Sequence, residues 1–117
     1  MNITFINKRV EKIILDASFL KKNHQNFAKI LIERIQLLDA LINVQELFNY
    51  GIGKPHLLKE NFAGRIAWNL NQNYRLILKI EIKDNNNNFA EKLTEIETIC
   101  IEGVCDYHGN KNNWIIP

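Results

Sequence analysis

Three side chains capable of proton transfer follow one another near the end of the sequence. Asp106, Tyr107 and His108 come directly after residues 99–105, an apolar stretch with the composition of a β-strand. A strand end is a rigid platform, so an acid, a phenol and an imidazole placed there can act together on one substrate. Imidazole titrates near neutral pH, which suits it to general acid–base catalysis.

Other side chains that suit a phosphodiester substrate lie between residues 54 and 83. The candidates are His56, Lys59, Arg65 and Arg75, in a segment with six basic residues against two acidic ones. Over residues 84–106 the balance reverses, with six acidic residues against one basic residue. A local positive field attracts phosphate even when the total charge is nearly neutral. Ordinary charges on solvated strand faces are the alternative interpretation.

Cleavage of RNA is a reaction that needs these groups together. A general base takes the proton from a ribose 2′-hydroxyl, the oxygen attacks the adjacent phosphorus, and a general acid protonates the departing 5′ oxygen. His56, Asp106 and His108 can carry the proton transfers, while the cations stabilise charge on the phosphoryl oxygens. Tyr107 can orient a neighbour or stack on a base. A structural pair between Arg75 and Asp106 is an alternative use of those two residues.

Size and composition indicate one small domain over residues 1–117. The chain has 117 residues, is 46% apolar, carries a net charge of +2 and has no apolar run longer than three residues. No segment is therefore long enough to cross a bilayer, and without an export signal we expect a cytoplasmic protein. Cys100 and Cys105 are expected to be buried free thiols. No paired motif completes a metal site, and no cofactor is expected.

Hydrophobic periodicity predicts two helices in the first half of the chain. Apolar residues recur at helical spacing over residues 8–17, and a longer stripe runs over residues 27–42. Either Asn23 or Asn26 is predicted to cap the second helix. His24 has no companions in the sequence and is interpreted as surface beside that helix.

Beyond residue 55 the apolar period changes to two, which is typical of strands. Residues 66–70 and 74–82 are predicted to pair as a hairpin through the asparagine-rich turn at 71–73. A long polar connection follows, and the last strand begins near Ile96.

Gly103 inside the last strand predicts a bulge or a close backbone approach. Residues 109–117 form an extension, of which residues 114–116 are expected to dock on an apolar surface. The order of elements predicts an α+β domain, with two N-terminal helices packed on a three- or four-stranded antiparallel sheet.

At these residues the sequence resembles the HigB-type branch of the RelE/ParE toxin superfamily, the killer proteins of bacterial toxin–antitoxin operons. The resemblance covers about residues 3–108. Family members often have Pro and Gly where this chain has Leu57 and Glu60. The matching elements are His56-x-x-Lys59, Gly64-Arg65-Ile66-Ala67-Trp68, Asn73-Tyr74-Arg75-Leu76 and Asp106-Tyr107-His108.

The resemblance implies a RelE-like fold and a ribosome-dependent endoribonuclease, an mRNA interferase that cuts messenger RNA in the decoding site. It also implies a HigA-type helix-turn-helix antitoxin as partner, besides the ribosome and mRNA, with operator DNA bound only through the antitoxin. The site residues that it implies are His56, Asp106 and His108 for acid–base catalysis, Lys59 and Arg75 for the phosphate, and Tyr107 for positioning.

Two further functions are compatible with this resemblance. A ParE-like toxin shares the fold and poisons DNA gyrase, and a non-catalytic member would act as a binding module or co-repressor of its operon. The run Asp106-Tyr107-His108 favours the ribonuclease, because gyrase-poisoning toxins do not rely on such a set. Glu60 and the low net charge favour the non-catalytic member.

Overall fold

Helices fill most of the N-terminal half of the chain, and strands form most of the rest. The computed structural model describes residues 1–58, 64–80, 92–108 and 111–117, and for residues 107, 108, 111 and 112 the backbone alone. Within these residues, no helix is long and apolar enough to cross a membrane. The elements are β1 Asn2–Phe5, α1 Lys8–Ile14, α2 Ala17–Asn23, α3 Ala28–Ala40, α4 Val44–Tyr50, β2 His56–Leu57, β3 Arg65–Asn69, β4 Tyr74–Lys79, a 3₁₀ turn Leu93–Glu95, β5 Thr98–His108 and β6 Lys111–Ile116.

Side-chain caps determine where three of the helices begin. Asn7, Asp16 and Asn43 each accept a hydrogen bond from the amide three residues further on, at 2.8, 3.0 and 3.1 Å. Each cap satisfies an amide that has no partner inside its helix. Asp16 therefore divides the periodic stretch over residues 8–17, so that α1 ends and α2 begins there.

The described residues contain four α-helices where the sequence predicted two helices, and the predicted cap of α3 is wrong. α3 begins after Phe27 without a side-chain cap. The Asn23 amide donates instead to the Phe19 carbonyl at 3.0 Å, and the Asn26 amide donates to the Tyr74 hydroxyl at 3.3 Å. Both asparagines thus stabilise the turn between α2 and α3.

In the described part of the chain, the sheet has six strands in the order β1-β5-β4-β3-β2, with β6 also paired to β5. β3 and β4 form the predicted hairpin, in which the Asn71 carboxamide oxygen accepts from the amides of Asn73 and Tyr74 at 2.9 and 3.0 Å. β1 is parallel to β5, and the other pairs are antiparallel. The α+β class is confirmed, but the sheet is mixed and larger than predicted.

Helices pack on one face of the sheet and enclose the main core. Trp68 and Leu78 are fully buried there beside Leu31 and Leu38 of α3. The Arg34 guanidinium lies 4.9 Å from the centre of the indole ring, which adds a cation–π contact. This layer fixes the strands, so the opposite face of the sheet is held on a rigid support.

A bulge in β5 confirms the interpretation of Gly103. Leu78 of β4 pairs with Ile101 and the preceding Ile77 pairs with Gly103, so Glu102 is left out of the register between the two strands. Gly103 has φ of +153°, and a Cβ atom there would lie 1.8 Å from the carbonyl oxygen of Ile116 in β6. Only glycine allows this approach. Ile116 is 1% exposed and docks on the core as expected, whereas Trp114 and Ile115 are exposed, contrary to expectation.

Candidate functional site

The sheet face turned away from the main core carries most of the predicted cations. Strand alternation directs Ile66 and Trp68 of β3 into the main core, so Arg65 and Ala67 lie on the opposite face. We call this the outer face. It contains Arg65 and Ala67 of β3, Arg75 and Ile77 of β4, Cys105 of β5 and, opposite Ala67, His56 of β2.

The loop before His56 is fixed to β3 by close backbone contacts. The Asn69 amide donates to the Gly53 carbonyl at 2.8 Å, and the Trp68 indole nitrogen donates to the Ile52 carbonyl at 2.6 Å. A Cβ atom on Gly53 would lie 2.6 Å from the Asn69 carbonyl oxygen, and Gly53 has φ of +70°. Glycine at this position is therefore required for the loop that leads into β2.

His56 is exposed, and a local hydrogen bond selects one tautomer of its ring. Its Nδ1 lies 3.1 Å from the carbonyl oxygen of Lys54. A carbonyl only accepts, so Nδ1 carries the proton in this bond and Nε2 of the neutral ring keeps its lone pair. That nitrogen can accept a proton from a substrate, as a general base must.

Arg65 makes an ion pair that sequence reasoning did not anticipate. Its Nε donates to Oε1 of Glu102 at 2.8 Å, and the Glu102 side chain is 6% exposed. The bulge before Gly103 brings this carboxylate to the outer face, where Arg65 offsets its charge. Arg65 is thus engaged by a buried acid, and its predicted role toward phosphate stays a prediction.

Arg75 lies directly opposite Cys105 on the outer face. Burial raises the pKa of the Cys105 thiol to about 11, with a further contribution from Glu102, while Arg75 acts in the opposite direction. Cys105 therefore stays protonated at neutral pH and is a poor nucleophile. Cys100 and Cys105 are both buried free thiols, as expected.

Asp106 is placed on the other side of the sheet from Arg75. Its cross-strand partner is Tyr74, whose ring packs 4.8 Å from that of Phe27 at the start of α3. Because neighbouring strand positions alternate between faces, the register groups Asp106 with Tyr74 and Cys105 with Arg75. The structure thus assigns Asp106 to a different face from His56 and Arg75.

Three predicted site residues lie wholly or partly outside the described part of the chain. Lys59 falls in the gap between residues 58 and 64. Tyr107 and His108 end β5, and their backbones pair with Asn112 and Lys111 of β6. Their side chains are not among those described. The three residues keep their sequence-based roles as predictions.

Together, His56 and Arg75 supply a base and a cation on one rigid surface. His56 and Arg75 lie two strands apart in the sheet and are offset by two residues along the strand direction. This register places their Cα atoms roughly 12 Å apart. A long arginine side chain can approach a group held at the imidazole across such a distance. This surface can position an anionic substrate and remove a proton from it.

Two features escaped sequence reasoning. Glu102 is a buried acid within an apolar strand, a signal that was present in the sequence. His24 has companions after all, because its ring stacks on Phe27 at 5.2 Å and contacts Phe19 at 6.0 Å. That group becomes visible only when α2, α3 and the hairpin are brought together.

Solved structures of bacterial toxins share this fold. A YoeB/ParE toxin from Agrobacterium tumefaciens has a TM-score of 0.55 and 12% identity, over 92% of this chain and 100% of that chain. YoeB from Staphylococcus aureus, solved as a dimer, has a TM-score of 0.51 and 27% identity, over 92% of this chain and 97% of its own. The YoeB–YefM complex from the same organism gives 0.53 and 25%, with the same coverage. No family model and no curated protein matches the sequence.

The fold is therefore that of the YoeB/ParE-type toxins within the RelE/ParE superfamily. The likeness supports the general class of a toxin from a toxin–antitoxin system. It does not distinguish the HigB branch from its relatives.

Proposed function

We propose that this protein is the toxin of a type II toxin–antitoxin pair and acts as a ribosome-dependent endoribonuclease of the HigB branch. The observation that carries the proposal is the outer face, where the exposed His56 ring, with Nε2 as acceptor, shares a rigid surface with Arg75. The likeness to YoeB structures at 25–27% identity adds support.

In the proposed reaction His56 is the general base. Nε2 of His56 takes the proton of a ribose 2′-hydroxyl, and the oxygen attacks the adjacent phosphorus. A 2′,3′-cyclic phosphate forms as the P–O5′ bond breaks, and a general acid protonates the departing oxygen to give a 5′-hydroxyl end. The proposed acid is His108, which lies at the end of β5 beyond the last residue that pairs with β4. Arg75 and Lys59 stabilise charge on the phosphoryl oxygens, and Tyr107 positions the substrate. The reaction needs no cofactor.

The ribosome is proposed to supply most of the substrate binding. A net charge of +2 gives weak attraction to an RNA backbone, and salt weakens it further. A translating ribosome holds the message in place and turns a loose encounter into an oriented one. We therefore expect translated RNA to be cut in the cytoplasm and naked RNA to be cut poorly.

The proposed antitoxin is a HigA-type helix-turn-helix protein, and operator DNA is contacted through it. A complex of a fold neighbour with YefM supports the existence of an antitoxin partner. Co-expression with the neighbouring gene of the operon, followed by co-purification, tests this part of the proposal.

Induced expression followed by mapping of transcript 5′ ends tests the enzymatic part. Growth arrest with cuts inside translated codons and 5′-hydroxyl ends is the expected result. Arrest with gyrase-linked DNA breaks would indicate a ParE-like toxin instead of a ribonuclease. One fold neighbour is a YoeB/ParE toxin, so the test includes this outcome. Normal growth with full-length transcripts would indicate a non-catalytic binding protein.

A further inference from the structure

A small cavity opens where the turn between α2 and α3 meets the hairpin. It has a volume of about 260 Å³ and is lined by residues 22–27 together with Tyr74 and Ile115. Pockets for drug-sized ligands measure about 300–1,000 Å³. The volume therefore suits a smaller group, such as one flat heterocycle.

Aromatic rings form a continuous run along this cavity. The His24 and Phe27 rings are stacked, with centroids 5.2 Å apart and planes 24° apart, and Phe27 contacts Tyr74 at 4.8 Å. Burial lowers the pKa of His24 below its ordinary value, which favours the neutral form of its imidazole. Neutral aromatic faces of this kind are the surfaces on which unpaired RNA bases stack.

Amide groups surround the rings and provide both donors and acceptors. The Asn26 side-chain nitrogen donates to the Tyr74 hydroxyl at 3.3 Å, which leaves its carboxamide oxygen as an acceptor. Gln25 is exposed at the cavity, and in the described part of the chain its amide has no hydrogen-bond partner. The edges of nucleobases carry the complementary set of donors and acceptors.

The turn that carries these groups is fixed to the sheet. The Asn71 side-chain nitrogen donates to the Asn26 carbonyl at 3.1 Å, and Phe27 is 2% exposed. Tyr74, on the cavity wall, is the cross-strand partner of Asp106. The cavity therefore lies one strand spacing from the last part of β5. Lys22 also lines the cavity and adds a positive charge that suits a phosphate.

We propose that this cavity binds one unpaired base of the RNA substrate, close to the end of β5 from which His108 is proposed to act. The proposal rests on the proposed ribonuclease function and adds a base subsite to it. His24 and Gln25 are its selective groups: one supplies a stacking face and the other reads a base edge.

Binding is tested on the full chain by NMR titration with each of the four ribonucleoside 5′-monophosphates. Ribose 5-phosphate and inorganic phosphate serve as ligands that lack the base. At least one nucleotide should shift the His24 imidazole signals, and the two base-free ligands should bind more weakly. His24→Ala and Gln25→Ala should each weaken nucleotide binding, by at least about fivefold for the stacking residue.

Two matched variants separate base recognition from effects on folding. His24→Phe keeps an aromatic face and should retain nucleotide binding, whereas Gln36→Ala removes an exposed amide elsewhere, on α3, and should change nothing. Equal binding of phosphate and nucleotides would mean a simple anion site and would overturn the proposal. So would nucleotide binding that His24→Ala and Gln25→Ala leave unchanged.

Ribosome-dependent cleavage by the same variants distinguishes failure of this proposal from failure of the proposed function. A subsite for the base predicts that His24→Ala redistributes the cut positions among codons while cleavage continues. Cleavage with an unchanged distribution, and no nucleotide binding, overturns the base subsite and leaves the ribonuclease intact. Nucleotide binding by a protein that never cuts RNA would confirm the cavity as a base site and refute its role in catalysis.

Discussion

The ion pair between Arg65 and Glu102 permits a sharp test of which arginine serves the substrate. Arg65→Ala leaves Glu102, which is 6% exposed, without the guanidinium that lies 2.8 Å from it. Removing one member of a fully buried pair costs about 3–5 kcal/mol. The Arg65 side chain is 30% exposed, so solvent screening reduces our expectation to about 2–3 kcal/mol. For a chain of this size the loss corresponds to roughly 10 °C in Tm.

A double-mutant cycle isolates the pairwise energy. Glu102→Gln removes the charge with little change of shape, so Arg65→Ala combined with Glu102→Gln should be more stable than Arg65→Ala alone. Urea denaturation of the four proteins measures this. A coupling energy near zero, with Arg65→Ala as stable as the parent, would show that the pair behaves as a solvent-exposed contact and that our reasoning about burial is wrong.

The same variants separate structure from catalysis. Below the Tm of every variant, Arg65→Ala should retain cleavage within a few-fold of the parent, because Arg65 is engaged by Glu102. Arg75→Ala should lose on the order of 100-fold, the usual effect of deleting a group that stabilises transition-state charge. If folded Arg65→Ala loses as much cleavage as Arg75→Ala, then Arg65 contacts the phosphate and the structural role assigned to it fails.

Three further predictions follow from the outer face and β5. Gly103→Ala should lower the free energy of unfolding by several kcal/mol, since its Cβ would lie 1.8 Å from the Ile116 carbonyl oxygen. The control Gly51→Ala has open space around its Cβ and should lose only about 1 kcal/mol, because of its left-handed backbone. Thermal melts measure both losses. Because the pKa of Cys105 is raised to about 11, the unfolded thiol loses its proton first, so denaturation titrations should show stability falling between about pH 9 and pH 11. Iodoacetamide should likewise label the unfolded chain faster than the folded one. Arg75→Lys should reduce cleavage despite the conserved charge, because lysine lacks the planar fork that binds two phosphate oxygens; single-turnover rates on ribosome-bound message measure the loss.

Local sequence patterns were sufficient to predict α3, the β3–β4 hairpin and the bulge at Gly103. Each depends on residues close together in the chain, such as the asparagine that accepts two amides in the turn at 71–73. α2 and α4 were not predicted, although each has the same seven-residue length as α1. Their caps, Asp16 and Asn43, were nevertheless readable in the sequence.

Long-range pairing explains most of what the sequence did not predict. The parallel pairing of β1 with β5 joins residues 2–5 to 98–101, and no local pattern encodes such a contact. The grouping of the site residues likewise depends on strand pairing that no local pattern encodes. His56 and Arg75 share a face because β2, β3 and β4 are adjacent, whereas Asp106 is separated from them by strand parity.

We propose that this protein cuts translated RNA through His56 and His108. The most direct measurement is primer extension on a message translated by purified ribosomes, with the parent protein, His56→Ala, His108→Ala and the surface control Gln36→Ala at equal thermal stability. We expect cuts inside codons only when ribosomes are present, no change for the control, and losses on the order of 100-fold or more for each histidine variant. Undiminished cleavage by His108→Ala and His56→Ala, or efficient cleavage of the same RNA without ribosomes at physiological salt, would contradict the mechanism.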